Sequence, residues 1–104
     1  MSLREQGRAC TCGIVIAELL QGSRSEKDSD LALSLSETTK VLEDSLGAWE
    51  EAGRLAALMR RKGQALSLVD CYLAALAVEN GAAILSLDKH FTIISRQFPL
   101  ELHS

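Results

Sequence analysis

Three acids in this chain stand in apolar company: Glu18 in IVIAELLQG, Asp70 in LSLVDCYLAAL and Asp88 in AILSLDKHF. An unpaired carboxylate among apolar groups is costly, so such a residue takes a cationic partner, caps a helix, shifts its pKa or binds a metal. Singly, each has an ordinary explanation. Asp70 lies near the start of a helical pattern, where orphan amides and the helix dipole favour a carboxylate. Glu18 can reach water from a half-exposed helix face, and Asp88 can be a turn residue closing a strand. Together they would repel one another unless protonated or bridged by a cation, and an oxygen-only set suits Mg²⁺ or Mn²⁺. In nucleolytic sites such ions activate water and stabilise charge at a phosphodiester.

The elements that must position these acids are legible from apolar spacing and helix punctuation. Arg8 to Cys12 suits a short strand, and GIVIAELLQG a helix closing at Gly22. SRSEKDSDLALSLSETT opens with capping serines and reads as a second helix. KVLE is a short strand or an extended connection. In SLGAWEEAGRLAALMRRKG, residues Leu46, Trp49, Ala52, Gly53, Ala56 and Met59 form one helical stripe, and Arg60, Arg61 and Lys62 fill the last turn before Gly63. SLVDCYLAALAVENG is apolar on nearly every side from Leu68 to Val78, which predicts a buried helix stopped at Asn80-Gly81. AAILSL then reads as a strand covered on both faces, with LEL after Pro99 as a shorter one. Helices alternating with short apolar strands make an α/β fold with a parallel sheet between helices. In such folds ligands gather outside the carboxyl ends of the strands, where Asp88 would stand.

With 104 residues, 47% hydrophobic content and one proline, the chain has one domain's worth of core-forming sequence, residues 1–104. Its net charge of −3 leaves only local basic patches for any nucleic-acid contact. Glu18 interrupts the N-terminal apolar run and no small-residue cleavage site follows, which argues against a signal peptide; no run reaches membrane-spanning length. Cys10, Cys12 and Cys71 are odd in number and sit among apolar residues, as reduced thiols of a cytoplasmic protein do. Cys10 and Cys12 with His90 or His103 lack the paired spacings of a structural zinc site.

IAELLQG, then AWEEAGRLAALMRRKG, then LVDCYLAALAVENGAAILSLDKHFTII closely resemble PIN-domain ribonucleases, in particular VapC toxins of toxin–antitoxin modules, over almost the whole chain from about Arg8 onward. The resemblance implies a metal-dependent endoribonuclease with a parallel sheet between helices, neutralised by a cognate antitoxin. It maps the family's second, third and fourth acids onto Glu18, Asp70 and Asp88, with Mg²⁺ or Mn²⁺ as cofactor and RNA as substrate. Ser86 falls where the family has a small hydroxyl residue lining the site, and Lys89, His90 and Arg96 lie close enough in sequence to meet an RNA backbone.

The chain departs from the family pattern at its start. No aspartate precedes Asp28, so the family's first acid and the central strand that carries it are expected to be missing, as in an N-terminally truncated domain. A centre without that ligand binds metal more weakly, which sets a second hypothesis beside the first: a non-catalytic PIN-like remnant serving as an interaction or antitoxin-binding module. Apolar edges left uncovered by the missing strand predict a homodimer or higher oligomer. A phosphorylatable receiver domain, another acidic-site α/β fold, would need paired acids after an early strand that this sequence lacks.

Overall fold

The computed structural model describes residues 2–5, 8–85 and 102–103. In chain order the elements are β1 (Ser2–Glu5), β2 (Arg8–Cys12), α1 (Gly13–Gln21), α2 (Glu26–Thr38), β3 (Lys40–Leu42), α3 (Leu46–Arg61), α4 (Leu68–Glu79), β4 (Ala83–Leu85) and β5 (Leu102–His103).

Serine hydroxyls start three of the four helices. Ser25, Ser45 and Ser67 accept from the backbone N–H groups of Asp28, Ala48 and Asp70 respectively, satisfying donors that a first turn leaves unpaired. Both α3 and α4 end in a Schellman turn. The Gln64 N–H donates to the Met59 carbonyl and the Gly63 N–H to Arg60; the Ala82 N–H donates to Ala77 and the Gly81 N–H to Val78. Gly63 and Gly81 take φ of 81° and 63°, left-handed values that a Cβ disfavours, so these two glycines fix where the helices stop.

The five strands form one sheet in the order β3-β2-β1-β4-β5. The expected parallel pairing is present between β2 and β3, with Thr11 opposite Val41, and between β4 and β5, with Ile84 opposite Leu102. β1 runs antiparallel to both neighbours, Leu3 facing Cys10 on one side and Ile84 on the other. The other four strands therefore share one direction, and their carboxyl ends lie along one edge. The centre of the sheet, where the sequence reading has a strand missing, is occupied by β1. SLRE is too short and polar to announce a strand by alternation, and pairing on both sides supplies what its side chains do not.

Burial centres on α4, in which Cys71 through Ala77 are all buried. Its main partner is α3, and Cys10 and Cys12 on one face of β2 join the same cluster. The seam on α3 is Ala48, Ala52, Leu55 and Met59, a stripe rotated from the expected one. Leu46 in the first turn is 76% exposed and Gly53 also faces water, whereas Ala52 and Met59 lie where expected. Alanines at the seam, with Ala74 and Ala77 on α4, let the two backbones approach closely.

Near the start of α3 the seam turns polar. The Tyr72 ring is buried and stacks on Trp49 with centroids 3.8 Å apart and planes 16° from parallel. Its hydroxyl donates to Asp44 Oδ1 at 2.5 Å and accepts the Ser45 N–H at 3.2 Å. The same Asp44 oxygen accepts from Trp49 Nε1 at 3.1 Å, and the Ser45 hydroxyl donates to Glu79 Oε1 at 2.8 Å. Burial first, and then the hydrogen bond to the Asp44 carboxylate, push the Tyr72 hydroxyl up to about 12.

Enlarging the seam should destabilise the chain: Ala52→Leu is expected to cost about 1–3 kcal/mol in a denaturant titration through overpacking. Because the folded state holds Tyr72 protonated beyond the ordinary phenol value of 10.0, its contribution to stability is complete below pH 10 and is lost as pH rises toward 12. It is the chain's one tyrosine, so phenolate absorbance reports on it alone. Ionisation near the ordinary value in the folded chain would contradict this, and Tyr72→Phe should flatten the alkaline fall in melting temperature.

Candidate metal centre

α1 begins directly at the carboxyl end of β2, Gly13 following Cys12, and carries Glu18 in its second turn with the side chain exposed to solvent. Asp70 occupies the first turn of α4, half-buried, with its backbone N–H held by the Ser67 hydroxyl at 3.3 Å. The cap of α4 is thus Ser67, with Asp70 as the donor of its backbone N–H, and the Asp70 carboxylate stands in the first turn where the helix dipole favours it. Asp88, Ser86, Lys89, His90 and Arg96 lie outside the described residues. Among the described residues no group of three or more His, Cys, Asp or Glu side chains gathers to hold a metal.

The described geometry does bring α4 to the strand ends. A cavity of about 390 Å³ lies between α1 and α2, whereas one of about 230 Å³ is lined by Cys12, Gly13, Ile14, Asp44 and Tyr72. The smaller one joins the exit of β2, the first residues of α1, the segment after β3 and the second turn of α4. Tyr72 is two residues beyond Asp70. Tyr72 of α4 thus reaches the cavity at the start of α1, beside the carboxyl end of β2. β4 also ends at that edge of the sheet.

Electrostatics around Asp70 reach its neighbour. Burial, and secondarily the Asp70 charge, raise the Cys71 thiol above its ordinary 9.0. A buried thiol held protonated is a poor nucleophile, so Cys71 belongs to the core rather than to covalent chemistry. Cys10 and Cys12 are likewise buried within the core cluster, as expected for structural thiols.

The donor chemistry fits a hard cation. Glu18 and Asp70 offer carboxylate oxygens that are open or half-open to water, the surroundings taken by Mg²⁺ or Mn²⁺, which keep part of their hydration. The thiols that zinc would prefer are buried away in the core.

One group went unread in the sequence. Asp44 stands between β3 and α3, lines the cavity and accepts hydrogen bonds from Tyr72 and Trp49. The available signal was a carboxylate before the Ser45 cap with an indole five residues on, but Asp44's partner on α4 is distant in sequence.

Against known proteins, the PIN-domain family model matches residues 2–97. The structure of VapBC-1 from nontypeable Haemophilus influenzae is similar in fold, with a TM-score of 0.77 and 19% sequence identity over 97% of this chain and 77% of that one. No curated protein gives a sequence match. With nearly its whole length matched to the family and its helices and sheet arranged as in a solved VapBC structure, the chain belongs to the PIN-domain family.

Proposed function

We propose that residues 1–104 form a single PIN-like domain acting as a VapC-type endoribonuclease, which hydrolyses RNA phosphodiester bonds and is restrained by a cognate antitoxin. The observation that carries the reading is the family match over residues 2–97. Glu18, Asp70 and Asp88 would hold Mg²⁺ or Mn²⁺. Once bound, the ion supplies Lewis acidity toward the phosphodiester and lowers the pKa of water.

The chain's own groups supply the rest. Asp70, fixed at its helix start by Ser67, presents a carboxylate to the ion from a rigid element. Glu18, exposed on α1, serves as a further ligand or orients the attacking water. On this proposal Ser86 would line the site, and Lys89, His90 and Arg96 would meet the RNA backbone. On this reading attack would come from water, and no side chain need act as a covalent nucleophile.

A second reading has its own support. Leu19, Leu31 and Leu33 are exposed on α1 and α2, and Leu19, Leu31, Ala32 and Leu35 line the larger cavity between those helices. An apolar surface of that kind suits a protein partner. On this reading the chain is a non-catalytic interaction module; on the first, the same surface serves an antitoxin or a second copy in a homodimer. Either way we place the protein in the cytoplasm, and among the described residues no helix is long and apolar enough to cross a membrane.

Mn²⁺ calorimetry separates the two. The wild-type chain should bind, Asp70→Asn and Asp88→Asn should abolish measurable binding, and both variants should cleave a structured RNA in Mg²⁺ at least about a hundredfold more slowly. A wild-type chain that binds no Mn²⁺ would rule out the ribonuclease and favour the interaction module.

A further inference from the structure

One oxygen of Asp44 organises the approach to α4. Asp44 Oδ1 accepts both the Tyr72 hydroxyl, at 2.5 Å, and the Trp49 indole N–H, at 3.1 Å, while those two rings stack on each other at 3.8 Å. The Tyr72 oxygen also accepts the Ser45 N–H. Tyr72 is 1% exposed, so its ring has one place to go. Asp70 lies two residues earlier, about 200° around the helix. A ring locked on one side of α4 therefore fixes the rotation at which Asp70 leaves the other side.

We propose that Asp44 is a positioning residue for the metal centre: through Tyr72 and Trp49 it sets the rotation of the first turns of α4 and hence the direction of the Asp70 carboxylate. The inference rests on the ribonuclease reading, since it gives Asp70 an ion to face. Asp44 touches neither ion nor substrate in this role. An acceptor oxygen suits the task because its two lone pairs can take both donors, and partners that orient metal ligands from behind commonly govern affinity for the ion.

The test uses the whole chain with Mn²⁺ as probe, combining calorimetry with hydrogen exchange at the backbone amides of Asp70–Leu73. Asp44→Ala should speed that exchange and weaken Mn²⁺ binding about tenfold. Asp44→Asn, which keeps an acceptor oxygen, should stay within about threefold of wild type. Tyr72→Phe keeps the stacked ring and deletes only the donor, so it should reproduce the Asp44→Ala loss even if that variant folds poorly. Ser25→Ala removes a cap on α2 and serves as the stability control; it should lower the melting temperature and leave Mn²⁺ affinity unchanged.

Folded Asp44→Ala with wild-type Mn²⁺ affinity would overturn the proposal, leaving the cluster a stabiliser of the fold alone. Asp44→Asn as defective as Asp44→Ala would overturn the acceptor mechanism. Absence of Mn²⁺ binding by the wild type is a different failure: it removes the ribonuclease reading itself, and this inference with it.

Discussion

Seven consecutive residues of α4, Cys71 through Ala77, lose essentially all contact with water. A helix stripped of solvent on every side cannot be held by an amphipathic stripe, so each neighbour must meet a different face of it. α3 supplies a seam of two alanines with Leu55 and Met59, β2 contributes Cys10 and Cys12, and β4 follows immediately through the Gly81 turn. The position of Asp70 follows from this arrangement, because it stands in the turn just before the buried run begins. Tyr72 is the place where the burial meets polarity, and there the packing accepts a hydroxyl because Asp44 and Ser45 satisfy it.

How much could be read in advance depended on whether the signal was local. The helix ends at Gly63 and Gly81, the serine-capped start of α2, the Arg8–Cys12 strand and the all-round burial of α4 are consequences of neighbouring residues and are legible in advance. The rotation of α3 is not local. Ala48 and Leu55, rather than Leu46 and Gly53, face α4 because the seam forms where the two helices approach, and spacing on one helix alone cannot locate that point. β1 was invisible for a related reason: its place depends on pairing with β2 and β4, whereas SLRE has no apolar alternation of its own. Of the candidate acids, Asp70 was legible as a helix-start carboxylate and Glu18 as a helix-face acid. Asp44, whose meaning lies in a partner on another helix, was not.

The two helix pairs differ sharply in how they treat water. The α3 and α4 pair shares a dry seam, whereas α1 has no fully buried residue and α2 buries only Ala32. α1 is nonetheless strongly apolar, and part of that surface stays exposed at Leu19. The chain thus couples a rigid half, which carries Asp70, to a half whose apolar surface remains available, and Glu18 belongs to the second.

The antiparallel β1 has a consequence for how the chain is made. Its partners stand at opposite ends of the sequence: Glu5 pairs with Arg8, whereas Ser2 pairs with Leu85, about 80 residues away. During synthesis the β1–β2 pair and the α3–α4 hairpin can form as they emerge, but one edge of β1 has no strand to meet until β4 leaves the ribosome. The central strand of the sheet is thus an open edge until Ala83–Leu85 has emerged, and its closure is the long-range contact on which the folding rate should depend.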